Sequence, residues 1–245
     1  MKSSITTRIR FSEADNNCKA SFGQLINYFQ DCSNYQSDLL GAGIEYQKKT
    51  KRAWILSSWQ LDINGTLEYG DEIVVSTWPY GFKGVCGRRN FTIAKATEPQ
   101  NCIVLADSIW VMYDIEKEML SRITPEDASI YGCDEKLEME YAKGKIARAS
   151  DYEVKEPFQV RKYHLDFNGH MNNAWYVRLA EEFLEECSEN RQKVRRLRVE
   201  YKKSAKYQDV MIPCVAKEKD RLLVELRNPQ DEIYAIVEFG LQPIN

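Results

Sequence analysis

The chain of 245 residues has few of the features that mark several large classes of protein. It contains only two histidines, and none of its seven cysteines form a CxxC pair, which disfavours a zinc site or a disulfide framework. Lysine plus arginine (34) does not exceed aspartate plus glutamate (37), so no binding to nucleic acid or an anionic membrane is indicated. No stretch approaches the roughly 20 apolar residues of a membrane span, and the N-terminal residues lack a signal peptide's apolar core. We expect a soluble, cytoplasmic protein without a metal ion or cofactor.

The two halves of the sequence contain matching segments. Residues 10–31 align without a gap with residues 161–182, so that Asp15 meets Asp166 and Asn17 meets Asn168. Three matches in the same order predict two copies of one structural unit, with chance similarity between short segments as the alternative. The two further matches are residues 67–78 with 205–216, and residues 98–112 with 228–241.

Each half is predicted to contain one helix followed by antiparallel strands. The segments that begin near Phe22 and Asn173 carry apolar residues on most sides, which is typical of a helix covered by other structure. The pattern predicts an α+β fold, a double hot dog, in which each repeat is a long helix wrapped by a curved antiparallel sheet. Strands are predicted where β-branched and aromatic residues lie between turn residues, at residues 53–63, 72–80, 87–96, 104–114, 195–205, 209–218, 221–228 and 232–241.

The boundary between the halves is predicted to fall in a charged segment. Residues 134–157 contain 12 charged residues among 24, a composition that suits an exposed linker better than a core. We therefore predict an N-terminal repeat at residues 1–125, a linker at residues 126–157 and a C-terminal, catalytic repeat at residues 158–245.

The segment that contains both histidines is the strongest candidate for a site. Asp166, Asn168 and His170 alternate, so in an extended backbone they would project to one side. Asn172 or Asn173 is predicted to cap the helix that follows, which would place the three side chains beside free helical N–H groups. Such a position can stabilise an oxyanion, and a histidine with a carboxylate in reach can activate water.

A purely structural interpretation of the same segment is also open. Asp166 and Asn168 would then make turn and cap hydrogen bonds, and His170 would be a partly buried bystander. The internal repeat favours catalysis, because the first half keeps Asp15 and Asn17 but has Lys19 where the second half has His170. The shared residues are sufficient for a turn, so the imidazole of His170, which only the second half has, favours a catalytic role.

The segment YHLDFNGHMNNAWYVRLAEEFL resembles the D-x-N-x-H-x-N-N motif of the acyl-acyl-carrier-protein (acyl-ACP) thioesterases of plant plastids and bacteria. The resemblance extends over most of the chain, since FSEADNNCKASFGQLINYFQDCS is similar to the N-terminal copy of the motif in that family and LRVEYKKSAKYQD to a strand after the second helix. It implies a double hot dog that hydrolyses fatty acyl-ACP, with Asp166, Asn168 and His170 as the catalytic residues.

One strand departs from the family. Plant members have a glutamate and then a cysteine, both assigned catalytic parts, where this chain has Ser204 and Ala205. A thiol nucleophile is therefore excluded at this position, and the glutamate base is missing. Glu200 would share a strand face with Ser204, but four residues along a strand span about 13 Å. Water activated by Asp166 and His170 remains, with Asn168 and backbone N–H groups holding the carbonyl or the water.

The partner expected from the resemblance is acyl carrier protein, which is acidic. A basic stretch could speed its encounter, and the candidates for docking are Arg195, Arg196, Arg198, Lys202 and Lys203. The alternative is that these charges form the solvated face of a strand whose other face is core. The five tryptophans could line an acyl tunnel, although aromatic residues in a sheet more often belong to the core.

Two other functions stay open at this stage. A hot-dog hydratase or dehydratase would use an aspartate and a histidine on an acyl thioester, but its usual motif has a different spacing and a proline. A non-hydrolysing module that binds acyl thioesters would not need His170. The sequence leaves the chain length, the preference for ACP or CoA, and the choice between monomer and homodimer undetermined.

Overall fold

The computed structural model describes residues 2–184 and 192–243 and divides into two compact units. Unit 1 comprises residues 1–20, 27–59 and 64–141, and unit 2 comprises residues 21–26, 60–63 and 142–245. The division between 141 and 142 falls inside the predicted linker. The predicted repeat boundaries at residues 125 and 158 themselves stay a prediction. Within the described part of the chain, no helix is long and apolar enough to cross a membrane.

Unit 1 contains an antiparallel sheet in the order β1-β3-β4-β5-β2, with the short strand β6 beside β5. The 18-residue helix α1 supplies Tyr28, Phe29 and Cys32 to its core, where Phe29 lies against the rings of Trp59 and Phe91 at centroid distances of 5.6 and 5.0 Å. The start of α1 and the end of β2 belong to unit 2. The elements are β1 (Ser3–Arg8), α1 (Phe22–Leu39), α2 (Ile44–Thr50), β2 (Arg52–Ile63), β3 (Glu72–Lys83), β4 (Cys86–Lys95), β5 (Cys102–Asp114), β6 (Met119–Leu120) and α3 (Pro125–Tyr131).

Unit 2 contains an antiparallel sheet in the order β9-β12-β11-β10-β7, with β8 also paired to β10. Helix α4 packs on β11 and β12 and buries Ala174, Tyr176, Val177 and Ala180. The elements are β7 (Glu153–Val154), β8 (Phe158–Gln159), α4 (Asn173–Glu181), β9 (Gln192–Tyr201), β10 (Val210–Lys217), β11 (Arg221–Arg227) and β12 (Ile233–Pro243).

Two predicted elements of unit 2 end earlier than expected. The strand predicted at residues 195–205 ends at Tyr201, because the backbone after it turns towards the β-turn at 207–208. Helix α4 ends at Glu181, so Phe183 and Leu184, which the apolar pattern assigned to the helix, lie in the turn that follows.

The internal repeat is visible as the same turns in both units. In the second matched pair, the backbone N–H of Glu68 donates to the carboxylate of Asp71 at 2.9 Å. The backbone N–H of Lys206 donates in the same way to the carboxylate of Asp209 at 2.8 Å. In the third pair, Asn101 N–H donates to Glu98 O at 2.9 Å and Asp231 N–H to Asn228 O at 3.0 Å. The same turn hydrogen bonds therefore recur at matched positions of the two units.

Most of residues 134–157, the segment predicted to be an exposed linker, are exposed. The segment is nevertheless attached to both units by specific contacts. In unit 1, the buried side chain of Asn90 accepts the N–H of Leu137 at 3.0 Å and the hydroxyl of Tyr141 at 3.1 Å. In unit 2, Ile146 is buried in a cluster with Leu223 and Ile236. Residues 134–157, called the strap below, are therefore structured by specific contacts.

Candidate active site

The residues from Asp166 to His170 form a tight turn that is held by the first of them. One carboxylate oxygen of Asp166 accepts the backbone N–H of Asn168 at 2.8 Å and that of His170 at 3.3 Å. The Asp166 N–H donates to the carbonyl oxygen of His170 at 2.8 Å, and Gly169 takes the left-handed conformation at φ 74° that closes the turn.

This turn corrects one expectation. Asp166, Asn168 and His170 were predicted to project to one side of an extended backbone, but the backbone reverses between them. An aspartate carboxylate can accept hydrogen bonds from the backbone N–H groups of the residues that follow it closely, and here these bonds stabilise a turn in place of a strand. The structure does bring the three residues together, within one five-residue turn instead of along a strand.

The matched segment of the first repeat folds into the same turn. Asp15 accepts the backbone N–H groups of Asn17 and Lys19, both at 2.8 Å, and Cys18 stands at φ 60° where the second repeat has Gly169. The shared aspartate therefore has a structural role in both copies. The chemical difference between the copies is Lys19 against His170.

The other histidine of the chain, His164, supports the turn from its N-terminal side. His164 is buried, and its Nδ1 accepts the backbone N–H of Arg161 at 3.0 Å. Burial first, and then the charge of Arg161, lower the pKa of His164, which keeps Nδ1 free to accept. Its counterpart Glu13 accepts the N–H of Arg10 at 2.8 Å in the same way. His164 therefore has a structural role, which no local sequence pattern indicated.

Helix α4 begins three residues after His170 with a fixed N-terminus. Asn172 is the N-cap, as predicted, and its side-chain oxygen accepts the N–H of Ala174 at 2.9 Å. Its own N–H donates to the carbonyl oxygen of His164 at 2.9 Å. The hydroxyl of Tyr201 donates to the carbonyl oxygen of Asn173 at 3.0 Å. The polar turn is therefore rigidly connected to a helix N-terminus, where a negative charge is favoured.

The segment that carries a glutamate and a cysteine in the plant enzymes lies directly beside this turn. The N–H of Met171 donates to the carbonyl oxygen of Ala205 at 2.8 Å, and His170 pairs with Lys206 as an isolated bridge. Ala205 is fully buried and its N–H donates to the hydroxyl of Tyr176 at 2.8 Å. A methyl group therefore occupies the position of the thiol.

Both carboxylate oxygens of Glu200 are bonded to residues outside the turn. One of its carboxylate oxygens accepts the N–H of Ile146 at 2.6 Å and the other accepts the ammonium of Lys202. Since β9 ends at Tyr201, the alternation that would have put Glu200 and Ser204 on one face does not reach Ser204, which is exposed. The geometry gives Glu200 the role of anchoring the strap.

Asp166, Asn168 and His170 each carry a group that thioester hydrolysis could use. Within residues 2–184 and 192–243, neither the imidazole of His170 nor the amide of Asn168 has a hydrogen-bond partner, and the second carboxylate oxygen of Asp166 has none either. Asn168 is exposed, and Asp166 and His170 are half-buried. A base, an amide donor and a carboxylate are thus free to contact a ligand or water.

The five basic residues predicted to bind acyl carrier protein are all engaged within unit 2. Arg196 forms a bidentate pair with Asp62 at 2.6 and 3.1 Å. Arg195 differs from the other four, because its guanidinium bonds only the carbonyl oxygen of Ile63, at 3.4 Å, among the described residues. The remaining pairs are Arg198 with Glu238, Lys202 with Glu200, and Lys203 with Glu232.

Two sequence profiles of one protein family match most of the chain. The sequence profile described as the acyl-ACP thioesterase N-terminal domain matches residues 3–131, and the profile of the C-terminal domain matches residues 147–238. No curated protein sequence matches the chain.

Solved structures share the fold at low sequence identity. An acyl-ACP thioesterase from Bacteroides thetaiotaomicron is 17% identical with a TM-score of 0.87, over 98% of each chain. A 12:0-ACP thioesterase from Umbellularia californica is 16% identical with a TM-score of 0.85, over 99% of this chain and 98% of that chain. These likenesses confirm the predicted double hot-dog fold.

Proposed function

We propose that this chain, which belongs to the acyl-ACP thioesterase family, hydrolyses fatty acyl-ACP to a free fatty acid and holo-ACP. The family hydrolyses thioesters, so the enzyme class follows from membership, whereas the carrier and the catalytic residues are the proposal. The observation that carries it is the free imidazole of His170, which stands on a preformed turn beside a helix N-terminus and has no counterpart in the first repeat.

The proposed reaction uses water as the nucleophile. His170 accepts a proton from water while the oxygen forms a bond to the thioester carbonyl carbon, and the carbonyl becomes an oxyanion. Collapse of this intermediate breaks the carbon–sulfur bond. The thiolate of the carrier's prosthetic group then takes the proton from the His170 imidazolium, so that the enzyme returns to its starting state.

Two further residues have distinct parts in this proposal. Asn168 is exposed and its amide has no partner among the described residues, and we assign it the role of donating a hydrogen bond to the oxyanion. Asp166 holds the backbone N–H of His170 and thereby positions its imidazole. The second Asp166 oxygen lies on the same turn and can stabilise the imidazolium electrostatically.

Release of free thiol from purified protein and acyl-ACP tests this function. Thiol release that requires His170 supports the thioesterase. Hydration of an enoyl thioester without thiol release would replace it with a hydratase, and tight binding of acyl-ACP without turnover would replace it with a binding module. Parallel assays with acyl-CoA of equal chain length separate the carrier preference from the chemistry.

Docking of acyl carrier protein is proposed on the basic stretch of β9 and the residues after it. Of Arg195, Arg196, Arg198, Lys202 and Lys203, only Arg195 lacks a carboxylate partner among the described residues. Its charge is not compensated locally, so we propose that it attracts the acidic carrier most strongly. Arg195→Glu should raise KM for acyl-ACP with kcat unchanged and leave acyl-CoA hydrolysis unaffected, whereas a KM for acyl-ACP equal to that of the unaltered protein would contradict docking there.

A further inference from the structure

Two neighbouring segments of unit 2, residues 161–170 and 205–209, expose large aromatic side chains. The segments lie side by side, because His170 of the first forms an isolated bridge with Lys206 of the second. The exposed aromatic residues and their exposed fractions are Tyr163 (70%), Phe167 (73%) and Tyr207 (42%). The exposed side chains of these two segments are called the turn patch below.

Contacts inside unit 2 hold two of these rings in place. The ring of Tyr163 packs edge-on against His164 and Trp175, at centroid distances of 4.3 and 5.9 Å. The ammonium of Lys162 lies over the ring of Tyr207, with Nζ 5.7 Å from the centroid. Each of the two rings therefore has a fixed position while much of its surface stays exposed to solvent.

The turn patch is positively charged. Arg161, Lys162 and Lys206 are exposed, and none of them forms an ion pair among the described residues. The acidic residues of the same two segments, Asp166 and Asp209, are half-buried and accept backbone N–H groups of the turns that contain them. Three cations without a carboxylate partner in the described chain therefore lie along the same segments as the exposed rings.

The first repeat shows that the turns form without these side chains. Its matched turns carry Ser12 and Asn16 where the turn patch has the two aromatic residues of its first segment, and Glu68 where it has a lysine. The matched segments of the first repeat, residues 10–19 and 67–71, hold four acidic and two basic residues, and those of the turn patch hold two acidic and three basic. The balanced charge of the whole chain therefore conceals a local excess of positive charge.

Projecting aromatic rings beside unpaired cations match an anionic lipid surface. Residues 167–169 and 206–208 are all exposed, so both turns project into solvent. Aromatic rings are favoured at the boundary between acyl chains and headgroups, and lysine and arginine are attracted to anionic headgroups. A fluid lipid layer accepts projecting side chains without a preformed pocket, which a protein partner would have to supply.

We propose that the turn patch is a peripheral contact with an anionic lipid surface, in which Tyr163 and Phe167 enter the headgroup layer. Lys162 and Lys206 then lie against the anionic headgroups. The contact itself does not depend on hydrolysis. Its consequence for catalysis rests on the proposed function, because a fatty acid released beside Phe167 enters a lipid layer more readily than water.

The first test measures binding of the unaltered full chain to vesicles, without acyl-ACP. Sedimentation compares vesicles of phosphatidylcholine alone with vesicles of equal parts phosphatidylcholine and phosphatidylglycerol. Since each cation near an anionic surface strengthens binding about fivefold, the partition coefficient should be about tenfold to a hundredfold higher for the anionic vesicles. Added salt should lower it. Equal partition into both kinds of vesicle, or no sedimentation with the anionic ones, would overturn the proposal.

The second test introduces residues that the first repeat carries at matched positions of the same turns. Tyr163→Ser and Phe167→Asn together should lower the partition coefficient about tenfold or more, because two rings no longer leave water. Lys206→Glu should lower it about tenfold or more as well, through its charge. Phe11→Ser is the matched control, since Phe11 is 84% exposed in the first repeat, outside the turn patch. It should leave the partition coefficient unchanged.

The outcomes separate a lipid contact from other uses of the same surface. Unfolding curves establish that each variant is folded. A folded double variant that sediments like the unaltered protein would contradict the assignment, and so would an equal loss of vesicle binding in Phe11→Ser. A double variant that keeps its vesicle binding but loses affinity for ACP would make the turn patch a protein-docking surface, and the proposal would be wrong. Because no substrate is present, failure of the vesicle assay leaves the proposed hydrolysis untouched, and thiol release tests that separately.

Discussion

The carboxylate of Asp166 accepts the backbone N–H of His170 at 3.3 Å, and the imidazole of His170 is left without a partner among the described residues. Asp166 therefore acts on His170 through the backbone, by fixing the turn that presents the imidazole. Asp15 makes the equivalent bond to the N–H of Lys19 in the first repeat, at 2.8 Å. Turn geometry and the proposed catalysis are thus separable, because both copies have the turn and only the second has an imidazole.

Asp15→Ala and Asp166→Ala form a matched pair of variants. Each removes two hydrogen bonds from a carboxylate to backbone N–H groups. Each should lower the free energy of unfolding by about 1–3 kcal/mol. Asp166→Ala should in addition lower kcat by about 10²- to 10⁴-fold, and Asp15→Ala should not. Denaturant unfolding and thiol release measure the two effects; a comparable loss of kcat in both would assign Asp166 a purely structural part.

Asn168→Ala should lower kcat without loosening the turn. The turn uses only the backbone N–H of Asn168, which the substitution keeps, while the side-chain amide bonds no residue that the structure describes. The expected loss is about 10²- to 10³-fold if the amide holds the oxyanion. Asn17→Ala in the first repeat is the control and should leave the rate unchanged. Full activity in Asn168→Ala would move the oxyanion donor to the backbone.

Glu200→Ala should destabilise the fold and spare the chemistry. The Glu200 carboxylate binds the N–H of Ile146 and the ammonium of Lys202, so its loss leaves a buried donor unsatisfied at a cost of about 1–3 kcal/mol. Glu200→Gln keeps an acceptor for Ile146 and should recover part of this. In both variants kcat measured below the unfolding transition should stay within about threefold. A large drop in kcat with the fold intact would make Glu200 the substitute for the missing glutamate.

His164 should make stability depend on pH. Its pKa is lowered in the folded state, so the unfolded chain binds a proton more readily. The contribution to stability is fully present above the unfolded pKa of about 6.5 and declines as the pH falls below that value towards the lower folded pKa. His164→Gln, which offers an uncharged acceptor to Arg161 N–H, should show a smaller decline in unfolding free energy between pH 7 and pH 5. An identical decline in both proteins would contradict the role assigned to His164.

The sequence predicted the regular elements of the fold because their signals are local. Alternating apolar residues placed β2–β5 and β9–β12 within a few residues of their observed bounds, apart from the end of β9. Strand β1 and the short helices α2 and α3 were missed, because six or seven residues carry too little periodicity to separate a helix or strand from a loop.

At the candidate site, the sequence predicted which residues lie together but not their geometry. The repeat located Asp166, Asn168 and His170 and showed that only the imidazole is unshared. It could not show that one carboxylate oxygen is consumed by the turn, because this depends on the backbone reversal at Gly169. The bond between Glu200 and Ile146 joins residues that lie far apart in the chain, which no local pattern records.

The central claim is that His170 is the general base of an acyl-ACP thioesterase, and the rate of thiol release from saturating acyl-ACP tests it most directly. The measurement compares His170→Ala with Lys19→Ala, which alters the matched position in the first repeat. We expect His170→Ala to lose about 10²- to 10⁴-fold in kcat while it stays folded, and Lys19→Ala to keep the rate of the unaltered protein. Near-normal hydrolysis by a folded His170→Ala variant would contradict the account and place the catalytic base elsewhere.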